Sequence, residues 1–202
     1  MDRPAALADL LDGPVEQVAP RLLGALVRHA GVTVRLTEVE AYAGPLDPGS
    51  HAYRGRTRRN QVMFGPPGHL YCYFTYGMHV CCNVVVGPEG DPSAVLLRAG
   101  EVVEGIELAR ERRPGSTDRD LARGPARLCR ALAIGLEHDG TDLAAGPITL
   151  TAGERAAVTP AEIGTGPRVG LRGAPDRPWR FWLAGDRSVS AYRPAKKLPH
   201  RP

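Results

Sequence analysis

Lysine is almost missing from this chain. Of its 26 basic residues only Lys196 and Lys197 carry an amine, and both sit in a Pro-rich stretch at the end of the sequence. A buried lysine of lowered pKa, the usual amine nucleophile, is therefore excluded from everything before Lys196. Cysteine is sparse as well. Cys72, Cys81, Cys82 and Cys129 form no CxxC pair, and adjacent Cys81 and Cys82 point to opposite faces of a strand, which excludes a zinc framework and a disulfide scaffold. No apolar run reaches the ~18 residues of a membrane helix, and no signal peptide is read. The expectation is a reducing cytoplasm, close to the bacterial nucleoid, and no membrane. Aromatic residues make up only 5%, yet three of the six Tyr fall between Tyr71 and Tyr76. So rare a residue, so concentrated, marks that stretch.

Glycine (24) and proline (19) are plentiful, which points to turns and irregular loops in place of long helices. Hydrophobic residues at 43% of 202 suffice for a packed core. The net charge of +4 is either an arginine-rich composition bias or the mark of a polyanionic partner. Its distribution favours the partner: Arg54, Arg56, Arg58 and Arg59 cluster, and from Arg168 onward nine basic residues face two acidic ones.

The pattern predicts one α+β domain over residues 1–192, a mostly antiparallel curved sheet with flanking helices and long loops, then a basic Pro-rich tail at 193–202. Apolar spacing predicts helices at 5–12 and 15–29, and alternation predicts a strand at 32–42. Residues 43–68 read as a long ordered loop. Strands are predicted at 69–76, 80–87 and 93–99, with Tyr76-Gly77-Met78 as a turn. Helices follow at 101–113 and 124–135, the latter opening at Pro125, and strands at 147–151, 167–171 and 179–184.

Period two places Val34, Leu36, Glu38, Glu40 and Tyr42 on one strand face, with the two carboxylates ~7 Å apart at ~3.3 Å per residue. The strand leaves a core and opens into a polar cleft. Two nearby acids push their pKa values apart, and one can then serve as a general base. A solvated edge strand is the plain alternative; a metal nuclease using Glu38, Glu40 and Asp47 is another. Tyr71 and Tyr73 share one strand face, with Tyr76 at the tip. Such a platform stacks bases or simply packs a sheet. Asn83 interrupts an apolar strand, and a buried amide there requires a hydrogen bond. Arg98 ends another strand, either as a surface residue or as a holder of a water or carboxylate. His51 lies in the Gly/Pro-rich loop.

Together these segments resemble the alkyladenine (3-methyladenine, methylpurine) DNA glycosylase family. The likeness is carried by Glu38-Val-Glu-Ala-Tyr-Ala-Gly-Pro45 with Asp47, Ser50 and His51, and by Arg59-Asn-Gln-Val-Met-Phe64. Gly68-His-Leu-Tyr-Cys-Tyr-Phe-Thr-Tyr-Gly-Met78, Asn83, Ala94-Val-Leu-Leu-Arg-Ala99 and Gly124-Pro-Ala-Arg-Leu-Cys129 extend it. It runs from about residue 5 to 192. The resemblance implies a single mixed α/β domain that binds double-stranded DNA as a monomer, without metal or cofactor, and removes alkylated and deaminated purines. It implies that Glu40 activates the attacking water and Arg98 helps hold it. Tyr42, His51 and Tyr73 would line the base pocket, and Tyr76 would fill the gap left in the DNA stack. Asn83 would hinder guanine, and Arg56, Arg59, Met78 and Arg127 would contact the DNA backbone. Three positions depart from the usual pattern: Arg58 stands for Pro, Cys72 for Val and Gly49 for Ala. A non-catalytic nucleic-acid-binding module of the same fold is the competing reading.

Overall fold

A computed structural model describes residues 5–75, 77–153 and 158–195. The N-terminal helices α1 (Ala5–Leu11) and α2 (Val15–Arg21) form where Leu7, Leu11, Val15, Val18 and Ala19 recur at helical spacing and bury. The helix expected to run to residue 29 stops at Arg21. Gly24 takes φ +85°, and Leu26–His29 becomes strand β1. Strand β1 pairs with β2 (Val32–Tyr42) on one side and with β6 (Thr149–Thr151) on the other. Ala30 (φ 44°) and Gly31 (φ 77°) make the two-residue turn between β1 and β2, the geometry that suits the twist of a hairpin. Two ladders of backbone hydrogen bonds outweigh the helical spacing of one apolar stripe.

Among the described residues the sheet has eight strands, all paired antiparallel. β3 (Leu70–Thr75), β4 (His79–Val86) and β5 (Ser93–Glu104) lead to β2, then β1 and β6. The second half of β2 pairs instead with β8 (Arg180–Leu183), which pairs with β7 (Ile163–Gly166). The α+β fold with an antiparallel sheet is as expected; several boundaries are not. Residues 101–104 continue β5 where a helix was expected. Strand β5 passes so close to β2 at Gly100 that a Cβ there would meet the Arg35 carbonyl at 2.5 Å. Helix α3 (Ile106–Arg112) starts only after Gly105, whose φ of +72° turns the chain against the Gly31 carbonyl. Helix α4 (Pro125–Ala131) opens at Pro125 as expected and ends sooner. Residues 167–171 form no strand. The buried Arg168 side chain and the Val169 N–H are both committed to β2 and the loop after it.

One face of the sheet carries the main apolar core, closed by α2 and α4. The other face carries a smaller cluster, Ala52, Met63, Tyr71, Val85 and Ala94, under the Gly/Pro-rich loop. No helix among the described residues is long and apolar enough to cross a membrane. Tail residues from Lys196 on lie outside the described residues.

Candidate active site

The decisive local feature is a pair of irregularities where β2 meets β5. The register slips between Leu36 and Glu38, leaving Thr37 as an extra residue on β2. It slips back between Glu38 and Val39, leaving Arg98 as the extra residue on β5. Such bulges redirect side chains. Val32, Val34 and Leu36 face the main core before the slip, and Val39 and Ala41 face it afterwards. The expectation that Val34 and Leu36 share a face with Glu38, Glu40 and Tyr42 is therefore overturned: the bulge inverts the alternation and turns the acids to the opposite side. Arg98, expected at a strand end, is a mid-strand residue and only 7% exposed.

Both carboxylates are fully buried, and they are bonded differently. Glu38 Oε1 accepts from Arg98 Nε (2.9 Å), Arg180 Nε (2.7 Å) and the Ser190 hydroxyl (2.9 Å). Its Oε2 accepts the Ser190 N–H at 2.6 Å. Burial by itself would raise Glu38, but the charges of Arg98 and Arg180, with hydrogen bonds from Arg180 and Ser190, hold it below the ordinary carboxylate value. Glu40 Oε1 accepts the Val169 N–H at 2.7 Å, and Oε2 accepts the Tyr42 hydroxyl at 2.9 Å. Arg98 Nε is 3.5 Å from Glu40 Oε1, so one guanidinium bridges both acids. Burial, and then the nearby Glu40 charge, raise the Tyr42 phenol and keep it a donor.

Against the Tyr42, Arg98 and Val169 contacts of Glu40 opens a cavity of about 370 Å³, within the usual range for small-molecule sites. Tyr42 and Arg98 line it on the Glu40 side, and Val169–Leu171 form one wall. His51, Tyr71 and Tyr73 form an aromatic wall. Tyr71 and Tyr73 stack at 5.7 Å, and the His51 ring stands edge-on to Tyr73 at 4.6 Å. His51 Nδ1 and the Tyr71 hydroxyl share a 3.0 Å hydrogen bond. Packing of the imidazole against this wall, and then the Arg59 charge, push His51 down to about 4 although its outer edge is exposed. The ring is therefore neutral at pH 7. Asn83, buried, donates to the Tyr71 carbonyl at 3.2 Å and also lines the cavity. Cys81 faces the cavity while Cys82 faces the core, so the adjacent cysteines do take opposite faces, and all four are free thiols.

The structure thus brings Glu40, Arg98, Tyr42, His51, Tyr73 and Asn83 together. Arg56, Arg59 and Met78 are exposed, and Arg59 lies 5.7 Å over the Tyr73 ring. Arg127 lines an adjoining cleft with Arg98, Arg123 and Arg193. Tyr76 lies outside the described residues. The sequence reading omitted Tyr71 from the pocket, although its shared face with Tyr73 signalled it. It also omitted Arg180, Ser190 and the Val169 N–H, which no local pattern marks because they arrive from more than a hundred residues away. Asp47 does not join the two glutamates: its oxygens accept from the buried Arg168. Among the described residues no group of three His, Cys, Asp or Glu is placed to hold a metal ion.

A family model described as "Methylpurine-DNA glycosylase (MPG)" matches residues 9–187. The chain belongs to that family. A protein of Streptomyces avermitilis provisionally named a 3-methyladenine DNA glycosylase is 55% identical, over 95% of this chain and 93% of its own. One from Leifsonia xyli subsp. xyli, named the same way, is 57% identical over 88% of this chain and 87% of its own. Another from Burkholderia lata is 50% identical over 89% and 87%. The family match contains every residue that lines the cavity, from Tyr42 to Leu171, and both Glu38 and Arg180.

Proposed function

We propose that this chain is a monofunctional DNA glycosylase that flips an alkylated or deaminated purine from duplex DNA and hydrolyses its N-glycosidic bond with a water activated by Glu40. The observation that carries the reading is a buried carboxylate, oriented by Arg98, Tyr42 and the Val169 N–H, beside an aromatic-walled cavity of purine scale.

The chemistry follows from that arrangement. A base inside a duplex cannot be attacked at its sugar carbon, so it is extruded at a few kcal/mol, less for damaged pairs. Tyr42, His51 and Tyr73 hold the extruded base. Their faces favour a cationic alkylpurine, and a neutral His51 adds no opposing charge. The glycosidic bond breaks through an oxocarbenium-like sugar, as in other glycoside hydrolysis. Water oxygen bonds to the sugar carbon, the base leaves with the electron pair, and Glu40 takes the water proton. The carboxylate also stabilises the positive sugar, and Arg98 holds both carboxylate and water. Asn83 narrows the wall against the 2-amino group of guanine. The nuclease reading finds no support in the donor set, because Glu38 Oε1 and both Asp47 oxygens are taken by arginines and Glu38 Oε2 by the Ser190 N–H.

Duplexes carrying single 3-methyladenine, hypoxanthine or ethenoadenine lesions test the proposal. Base release with EDTA present, scored by hot alkali, is the expected outcome; no alkali-labile product from any lesion supports the binding-module reading instead. Borohydride added during the reaction should trap no covalent adduct, because lysine occurs only at 196 and 197; a trapped adduct would disprove the monofunctional reading.

Tyr76 is assigned to the vacated stack position. Thr75 and Gly77, at the tip of the β3–β4 hairpin, flank it, and exposed Met78 follows. Tyr76→Ala should weaken lesion-duplex binding by ~1–3 kcal/mol and leave undamaged duplex nearly unchanged, since phosphate contacts dominate there. Equal losses on both duplexes in a titration would make Tyr76 merely structural.

A further inference from the structure

The buried ion pair Asp47–Arg168 sits beside the cavity, and no step above uses it. Both side chains are fully buried. Arg168 Nη2 donates to Asp47 Oδ1 at 2.7 Å, and Nη1 donates to Asp47 Oδ2 and to the Ala41 carbonyl, the latter at 2.9 Å. The guanidinium lies over the Tyr42 ring at 4.6 Å, with Trp179 on it at 5.4 Å. Ala41 in turn donates its N–H to the Trp179 carbonyl at 2.8 Å. Asp47 is held by the Gly49 N–H at 3.0 Å, and a Cβ at residue 49 would come within 3.0 Å of Arg168 Nη2. The loop 47–49, the segment 168–171 and the end of β2 are thus locked around one planar cation.

The contacts converge on Glu40. Residue 169, next in the chain to Arg168, donates its N–H to Oε1, and the Tyr42 ring beneath the guanidinium carries the hydroxyl that donates to Oε2. We propose that Arg168, held by Asp47, is a positioning residue for Glu40, fixing at once the two hydrogen-bond donors that orient its carboxylate. This inference rests on Glu40 being the base of the proposed reaction.

Stability alone does not account for the pair. Buried ion pairs are often replaceable by apolar residues without loss. Among the described residues Arg168 Nε is also buried with no hydrogen-bond partner, an unfavourable feature in a filler. Planar, bidentate and stacked contacts are what arginine supplies and lysine does not.

The test uses a duplex with one 3-methyladenine. That base leaves as a neutral purine from a cationic nucleotide and needs no proton, so the pH profile of single-turnover release reports the base catalyst alone. The variants are Arg168→Lys and the double change Asp47→Asn with Arg168→Gln, which leaves no lone buried charge. A carboxylate that loses fixed N–H and O–H donors holds its charge less well. Both variants should bind the lesion duplex within about threefold of wild type. Both should release base about tenfold more slowly at neutral pH, with the acidic limb of the profile moved up by about one pH unit. Tyr42→Phe, which removes only one donor, should move the limb in the same direction. Thermal unfolding identifies a variant that fails to fold, and the other then decides. A rate lowered equally at every pH, or not lowered at all, beside an active wild type overturns this inference alone. A wild type that releases no base overturns the functional reading and this inference with it.

Discussion

Replacing Glu40 by Gln should lower single-turnover base release by at least ~10²–10⁴, the usual contribution of a general base, while lesion-duplex binding is retained. The amide keeps the shape of the carboxylate: its oxygen can still accept the Val169 N–H, 2.7 Å from Oε1, while its NH2 can donate to the Tyr42 hydroxyl oxygen, 2.9 Å from Oε2. It cannot take a proton from water or offset positive charge on the sugar. The protein should stay folded, since Arg98 keeps Glu38 as its close partner. Single-turnover rates on lesion duplexes, measured with the Glu38→Gln variant alongside, check the assignment. If Glu38→Gln lost more activity than Glu40→Gln, the base would be misassigned.

Glu38→Gln should instead act mainly on stability. Glu38 is the anion against which Arg98 and Arg180, 7% and 5% exposed, are neutralised. Removing one partner of a buried pair costs about 3–5 kcal/mol. For a chain of this size that is about 10 °C in Tm, read by thermal unfolding at neutral pH. The pH dependence gives a second check. The folded protein holds Glu38 below its ordinary value of 4.5. Its stabilising contribution is therefore fully present above about 4.5 and is lost as pH falls through the depressed folded value. The gap between wild type and Glu38→Gln should close as acid is added. A gap that stays constant down to pH 3 would show that the carboxylate charge is not what holds the two arginines. Activity should fall less than for Glu40→Gln, because Arg98 remains 3.5 Å from Glu40.

The amino-acid sequence by itself determined the α+β class, the central strand 32–42, the Tyr-bearing strand and the helix opening at Pro125, because each rests on spacing within a dozen residues. It also marked Glu40, Tyr42, His51, Tyr73, Asn83 and Arg98, which the fold gathers at one cavity. Local periodicity misled at 26–29 and 101–104, where pairing with strand neighbours took segments that look helical in isolation. Only the tertiary structure decided how the two acids differ. A strict alternation gives Glu38 and Glu40 the same face as Leu36 and no reason to separate their roles. The slips at Thr37 and Arg98, together with Arg180, Ser190 and Val169 arriving from the far end of the chain, give one glutamate two arginines and the other a tyrosine and a backbone amide. A bulge depends on the register between two strands some sixty residues apart, and a hydrogen-bond partner depends on where the chain returns. Neither is written in the spacing of neighbouring residues.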